Sequence, residues 1–241
     1  MKGIARMTGP QLDFSGLKSL AVACLLLSVT VEPTANAQES GGTIRGRVSL
    51  SAQVQVAPRA ATPRYRSTVT SGTVKAGDEK PDVANVVVYL VGAGLDKMSA
   101  KGEVAILDQR DATFIPHVLP VVKGTQVRIV NRDKTYHNVF SLSKVKKFNI
   151  GRRPTGEEVP VEFDKSGEVQ VFCDIHSNMS AIILVLDNPM FVQPNDEGFF
   201  EMKNIPPGDY TVNAWHERLN SSPKQVTIGR GETVTVNFDF Q

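Results

Sequence analysis

Cys173, His176 and Met179 stand in a C-x2-H-x2-M run, and His137 lies 36 residues before the cysteine. These four donors act together only if the chain brings two distant segments to one point, which restricts the fold more than any other feature. Gly167-Glu-Val-Gln-Val-Phe-Cys173 alternates with the period of a strand, so Val169, Val171 and Cys173 share one face. The thiol then leaves the strand end pointing inward. Asp174 to Asn178 turn the chain so that His176 and Met179 reach the same point, and Ser180–Asp187 reads as the next, buried strand. His137 has a loop of its own, in Asp133-Lys-Thr-Tyr-His-Asn-Val-Phe-Ser141.

Two imidazoles, one thiolate and one weak thioether are the donor inventory of a blue copper site. The thiolate stabilises Cu(I), the imidazoles accept either oxidation state, and a trigonal His2Cys plane with a distant Met suits both. A thioether fourth donor favours copper over zinc. Reading Cys173 and His137 as a nucleophile and its base leaves Met179 and His176 without a role. The sequence has no Gly-rich phosphate loop, catalytic carboxylate pair or zinc motif. Four protein donors leave no position for a substrate, so the expectation is a carrier of one copper ion and single electrons, not an enzyme.

A formal net charge of +2 over 241 residues gives no global field for nucleic acid. Residues 1–37 read as a signal peptide. Lys18 precedes an apolar stretch from Leu20 to Val31, and Ala35-Asn-Ala37 supplies an A-x-A cleavage site after Ala37. The stretch is too short for the roughly 20 residues of a membrane span. The expected location is therefore the periplasm or beyond. Loss of the leader removes Cys24 and leaves Cys173 unpaired in an oxidising compartment, where a metal is its most economical partner.

After the leader the chain is all-β, in short alternating runs separated by Gly, Pro, Asp and Asn turns. Gly42–Leu50 and Val83–Val91 read as strands in an N-terminal region, 38–100, around a 51–82 segment rich in Ala, Pro, Arg, Ser and Thr that reads as a long mobile loop. The candidate copper domain spans 101–190 and a smaller β module spans 191–241. In that module Phe199–Lys203, Tyr210–Trp215, Lys224–Ile228 and Glu232–Phe240 read as strands, with Val234, Val236, Phe238 and Phe240 on one face.

The stretch from Phe114 to Asn131, followed by the His137 and Cys173 loops, resembles a cupredoxin of the plastocyanin/amicyanin-like kind. His137-Asn-Val-Phe-Ser141 is similar to the periplasmic proteins labelled methylamine utilisation proteins. The resemblance covers roughly residues 102 to 190. It implies a Greek-key sandwich or barrel, with His137, Cys173 and His176 in the equatorial plane and Met179 axial. It also implies that Asn138 ties the two loops together, and that the redox partner is a c-type cytochrome or a quinoprotein dehydrogenase. Asp196-Glu-Gly198 before Phe199-Phe200, and Pro206-Pro-Gly-Asp-Tyr210, resemble a carboxypeptidase regulatory-like (transthyretin-like) module. Such a module begins with strands like Gly46-Arg-Val48 and Ala84–Leu90, which would make the copper domain an insertion; those strands serve equally as the first of the cupredoxin.

His117 and His216 read as packing histidines, with an extra-ligand or proton-coupled role open for His117. Lys144-Val-Lys-Lys147 and Arg152-Arg153 read as a solvated face or as a basic rim that steers an acidic partner. Two other functions use the same chain: copper storage or delivery, and envelope adhesion by the β modules with a vestigial site.

Overall fold

The computed structural model describes residues 41–50, 82–98 and 104–240. The leader at 1–37 and the 51–82 segment, Asp82 excepted, lie outside the described residues. Among the described residues the regular structure is all strand, apart from two 3-10 turns at Asp82–Asn85 and Leu95–Lys97.

The first strands are β1 (Gly42–Leu50) and β2 (Val87–Val91). The strand read over Val83–Val91 is shorter because Asp82–Asn85 curls into a 3-10 turn, closed by the Val86 N–H on the Val83 carbonyl at 3.1 Å. Nine strands follow: β3 (Ala105–Arg110), β4 (Thr113–Ile115), β5 (Val118–Val122), β6 (Thr125–Asn131), β7 (His137–Leu142), β8 (Lys147–Arg153), β9 (Glu158–Phe163), β10 (Gly167–Cys173) and β11 (Ser180–Leu186). They form a sandwich of two mixed sheets, ordered β5-β11-β10-β7-β8 and β4-β3-β6-β9. Alternation supplies the core between them: Val127 and Ile129 from β6, Val169 and Val171 from β10, Ile183 and Val185 from β11.

The last strands are β12 (Phe191–Val192), β13 (Phe199–Ile205), β14 (Gly208–Trp215), β15 (Lys224–Ile228), β16 (Thr233–Thr235) and β17 (Phe238–Phe240). β1 pairs with β13, β16 and β17, and β2 with β12 and β14. Both early strands therefore lie in the sheets of the C-terminal module, and the nine-stranded sandwich is inserted between β2 and β12. The module has its own core, with Ile44, Leu90, Val212, Phe238 and Phe240 among its buried residues. The Tyr210 hydroxyl donates to the Pro206 carbonyl at 2.8 Å and pins the Pro-Pro-Gly turn.

β11 is apolar on both faces, as a strand covered on both sides must be. Its inner face joins the sandwich core. Its outer face, Leu184 and Leu186, packs with Val118 of β5 against Val87, Tyr89, Phe191 and Trp215 of the module. Each of these aliphatic side chains contributes about 1.5–3 kcal/mol by leaving water.

Glu232–Phe240, read as one strand, is broken at Val236-Asn237. The Val236 N–H still reaches the Arg45 carbonyl at 2.8 Å, but the Arg47 N–H is taken by the Asn237 side chain at 2.9 Å. The break lies over Gly46, where a Cβ would sit 1.6 Å from the Val236 carbonyl oxygen. Gly46→Ala must therefore displace β16 from β1. We expect it to lower the unfolding free energy by about 2 kcal/mol or more, measured by urea titration.

Candidate metal centre

Strand pairing brings the candidate donors together. β7 and β10 are antiparallel neighbours, with Phe140 opposite Phe172 and Val139 opposite Cys173. His137 opens β7 and Cys173 ends β10, so both point into the sandwich at the same end, and both are buried. The turn after Cys173 closes on itself: the Met179 N–H donates to the His176 carbonyl at 3.1 Å, and the Cys173 N–H to the Met179 carbonyl at 3.2 Å. Asn138 joins the two segments, its side-chain amide donating to Asp174 at 2.9 Å while its carbonyl accepts the Asp174 N–H at 3.2 Å.

His137 Nδ1 lies 3.6 Å from Cys173 Sγ and 3.1 Å from His176 Nδ1, and the thiol lies 3.8 Å from His176 Nδ1. The centre of this triangle is about 2.0 Å from each atom, the length of a metal–imidazole bond and slightly short of a metal–thiolate bond. These three residues form a group that could hold a metal ion. Met179 is fully buried at the end of the same turn. Two soft or borderline donor types and two imidazoles, with no carboxylate among them, are a donor set for copper.

Asp133 gave no signal in the sequence beyond a turn, yet it orients the site. His137 Nε2 lies 2.7 Å from its carboxylate. That bond puts the ring proton on Nε2 and leaves the Nδ1 lone pair facing the cysteine and the second histidine. The carboxylate is held in turn by the N–H groups of Asp111 at 2.5 Å and Ala112 at 2.9 Å. Those two residues form the β3–β4 turn, both at φ 52°, a conformation that costs an alanine energy. Both amides thereby converge on one anion. Asn131 fixes the loop, accepting the Asp133 N–H at 2.9 Å and donating to Thr135 and Arg153 carbonyls at 2.8 Å.

The other candidates lie elsewhere. His117 is outside the cluster and bonds to Ser180 and Glu217. His216 is buried, and its Nδ1 accepts the Arg218 and Leu219 N–H groups at 3.2 Å, a packing role. The basic residues of 144–153 do not lie together. In the β7–β8 ladder Arg153 faces His137 and Arg152 faces Asn138, whereas Lys147 faces Leu142 at the far end. Five strand positions amount to about 16 Å, and Lys146 is engaged by Asp164 at 3.6 Å. Antiparallel pairing carries the lysines away from the site and leaves exposed Arg152 beside it.

Neither a protein-family model nor a curated protein sequence matches the chain. Solved structures do match. A cupredoxin, amicyanin mutants and a copper-containing nitrite reductase are among them. A purple cupredoxin from Nitrosopumilus maritimus aligns at 21% identity and TM-score 0.32, over 35% of this chain and 100% of its own. A reduced amicyanin mutant aligns at 18% identity and TM-score 0.33, over 41% of this chain and 99% of its own. A copper-containing nitrite reductase from Thermus scotoductus aligns at 24% identity and TM-score 0.34, over 45% of this chain but only 27% of the reductase.

Burial alone raises the Asp133 pKa; hydrogen bonds from Ala112, His137 and Asp111, with the His137 charge, outweigh it, and the net shift is downward. The stabilisation this carboxylate gives is complete above the ordinary carboxylate range near about 4 and is lost as pH falls through its lowered folded value. Asp133→Asn should weaken Cu(II) binding about 10–100-fold in chelator competition. In the metal-free protein the melting-temperature gap between native and Asp133→Asn should narrow as the solution is acidified.

Proposed function

We propose that this protein is a type 1 copper protein that carries single electrons between redox partners outside the cytoplasm, with no catalytic step of its own. The observation that carries this reading is the convergence of His137 Nδ1, Cys173 Sγ and His176 Nδ1 on one centre inside a β sandwich. In it, His137, Cys173, His176 and Met179 would hold one copper ion. Copper, when bound, supplies the Cu(I)/Cu(II) couple. The chain's own residues would keep the donors in place in either state: Asp133 orients His137, Asn138 locks the two loops, and the β7–β10 ladder sets the spacing of His137 and Cys173. Little rearrangement on electron gain or loss favours rapid transfer.

His176 is only partly buried, and exposed Tyr136 and Ile175 lie next in sequence to His137 and His176. This supports an electron exit at the His176 edge, with Arg152 as the nearby steering charge. The partner proposed is a c-type cytochrome or a quinoprotein dehydrogenase. Among the described residues no helix is long and apolar enough to cross a membrane, and the leader motif at 1–37 favours the periplasm.

One Cu should bind per chain and give an intense visible charge-transfer band, which Cys173→Ser abolishes; a Cys173→Ser protein that stays blue would sink the assignment. Met179→Gln should keep copper and lower the reduction potential, because a harder oxygen donor favours Cu(II). An unchanged or raised potential in voltammetry would exclude Met179 as a copper ligand.

A further inference from the structure

The two β units meet at a polar contact that neither core requires. His117, between β4 and β5, is anchored to the start of β11 twice: its carbonyl accepts the Ile182 N–H at 2.8 Å, and its Nδ1 lies 3.1 Å from the Ser180 carbonyl. Its Nε2 lies 3.2 Å from Glu217 Oε2, in the loop that follows β14 of the C-terminal module. Both ring nitrogens thus face oxygen acceptors. An imidazole N–H can donate to either oxygen, so the ring bridges the start of β11 and the loop of the module. The Glu217 side chain is 11% exposed, so little water competes for it. Arg218 Nε reaches its other oxygen at 3.5 Å.

Ser180 directly follows Met179, whose backbone is already tied to His176 and Cys173. We infer that Glu217 and His117 are positioning residues through which the C-terminal module braces the Met179 end of the metal loop, so that this module sets the geometry of a site to which it contributes no ligand. The inference rests on the copper reading above. It gives the module a function in electron transfer beyond attachment. The apolar contact of Val87, Phe191 and Trp215 with β5 and β11 holds the two units together; the His117–Glu217 pair ties the module to the Ser180 carbonyl beside Met179.

The test uses the full copper-loaded protein and its metal-free form. Glu217→Gln and His117→Gln should each alter the Cu(II) electron paramagnetic resonance spectrum and the reduction potential in the same direction. Each should also speed copper loss to a chelator by a few-fold, below the roughly 10–100-fold typical of a direct ligand partner. The double variant should be no worse than either single one, since both break one link. In the metal-free protein both should accelerate hydrogen exchange at the Ile182 amide. Phe191→Ala loosens the same interface away from the link; it should lower stability yet leave the spectrum unchanged. Additive effects of the two substitutions would overturn the inference, as would a spectrum that Phe191→Ala changes equally. Faster Ile182 exchange with an unaltered copper spectrum would make the pair a brace between modules only, and would also overturn it. Native protein that takes up no copper would sink the copper reading itself.

Discussion

Everything at the candidate centre depends on the register between β7 and β10. With Val139 opposite Cys173, the imidazole that opens one strand and the thiol that ends the other emerge together. A slip of one residue would turn Cys173 to the outer face and Phe172 inward, because side chains alternate. The register is held from both sides. Inside, Val169 and Val171 are committed to the core; outside, Phe140 and Phe172 pair at 5.9 Å. Specification of the site is therefore mostly hydrophobic, even though its chemistry is polar.

The polar contribution is orientation. His137 is buried within a sandwich and has two nitrogens, and only one faces the cysteine. Asp133 removes the ambiguity by occupying the other. The carboxylate is itself held by a turn whose two residues adopt left-handed backbone. Local strain in β3–β4 is thus exchanged for a defined ring tautomer some distance along the chain, a use of strain that recurs at functional sites.

The short-range features were legible in the sequence. β10, β11 and β15 follow from alternation or from a bounded apolar run, and Cys173, His176 and Met179 are close enough that one turn gathers them. Features that depend on distant partners were not. Asp133 looked like a turn residue because its anion partners are amides more than 20 residues away. Glu217 had no signal at all, since its partner is 100 residues distant. The break in the last strand needed knowledge that Gly46 lies beneath it. Membership of β1 and β2 was undecidable from pattern, because a Val-rich strand suits either sandwich; only the pairing partners distinguish them. The choice between a solvated face and a basic rim for Lys144 to Arg153 stayed open because it needs the ladder: residues close in sequence diverge once β8 runs the length of β7.

The pairing of β2 with both β12 and β14 has a consequence for how the chain matures. Strands β1 and β2 are synthesised first, yet their partners follow only after the whole inserted sandwich, about 100 residues later, a separation that slows closure. The inserted unit has its own core and can collapse while the outer one waits. When β12 docks on β2, the ends of the finished insert are already side by side, and closing the outer sheets becomes a short-loop event instead of a long one. The inner sandwich acts as a template that holds the outer strands in reach, so damage to its core would prevent assembly of a module with which it shares few core residues.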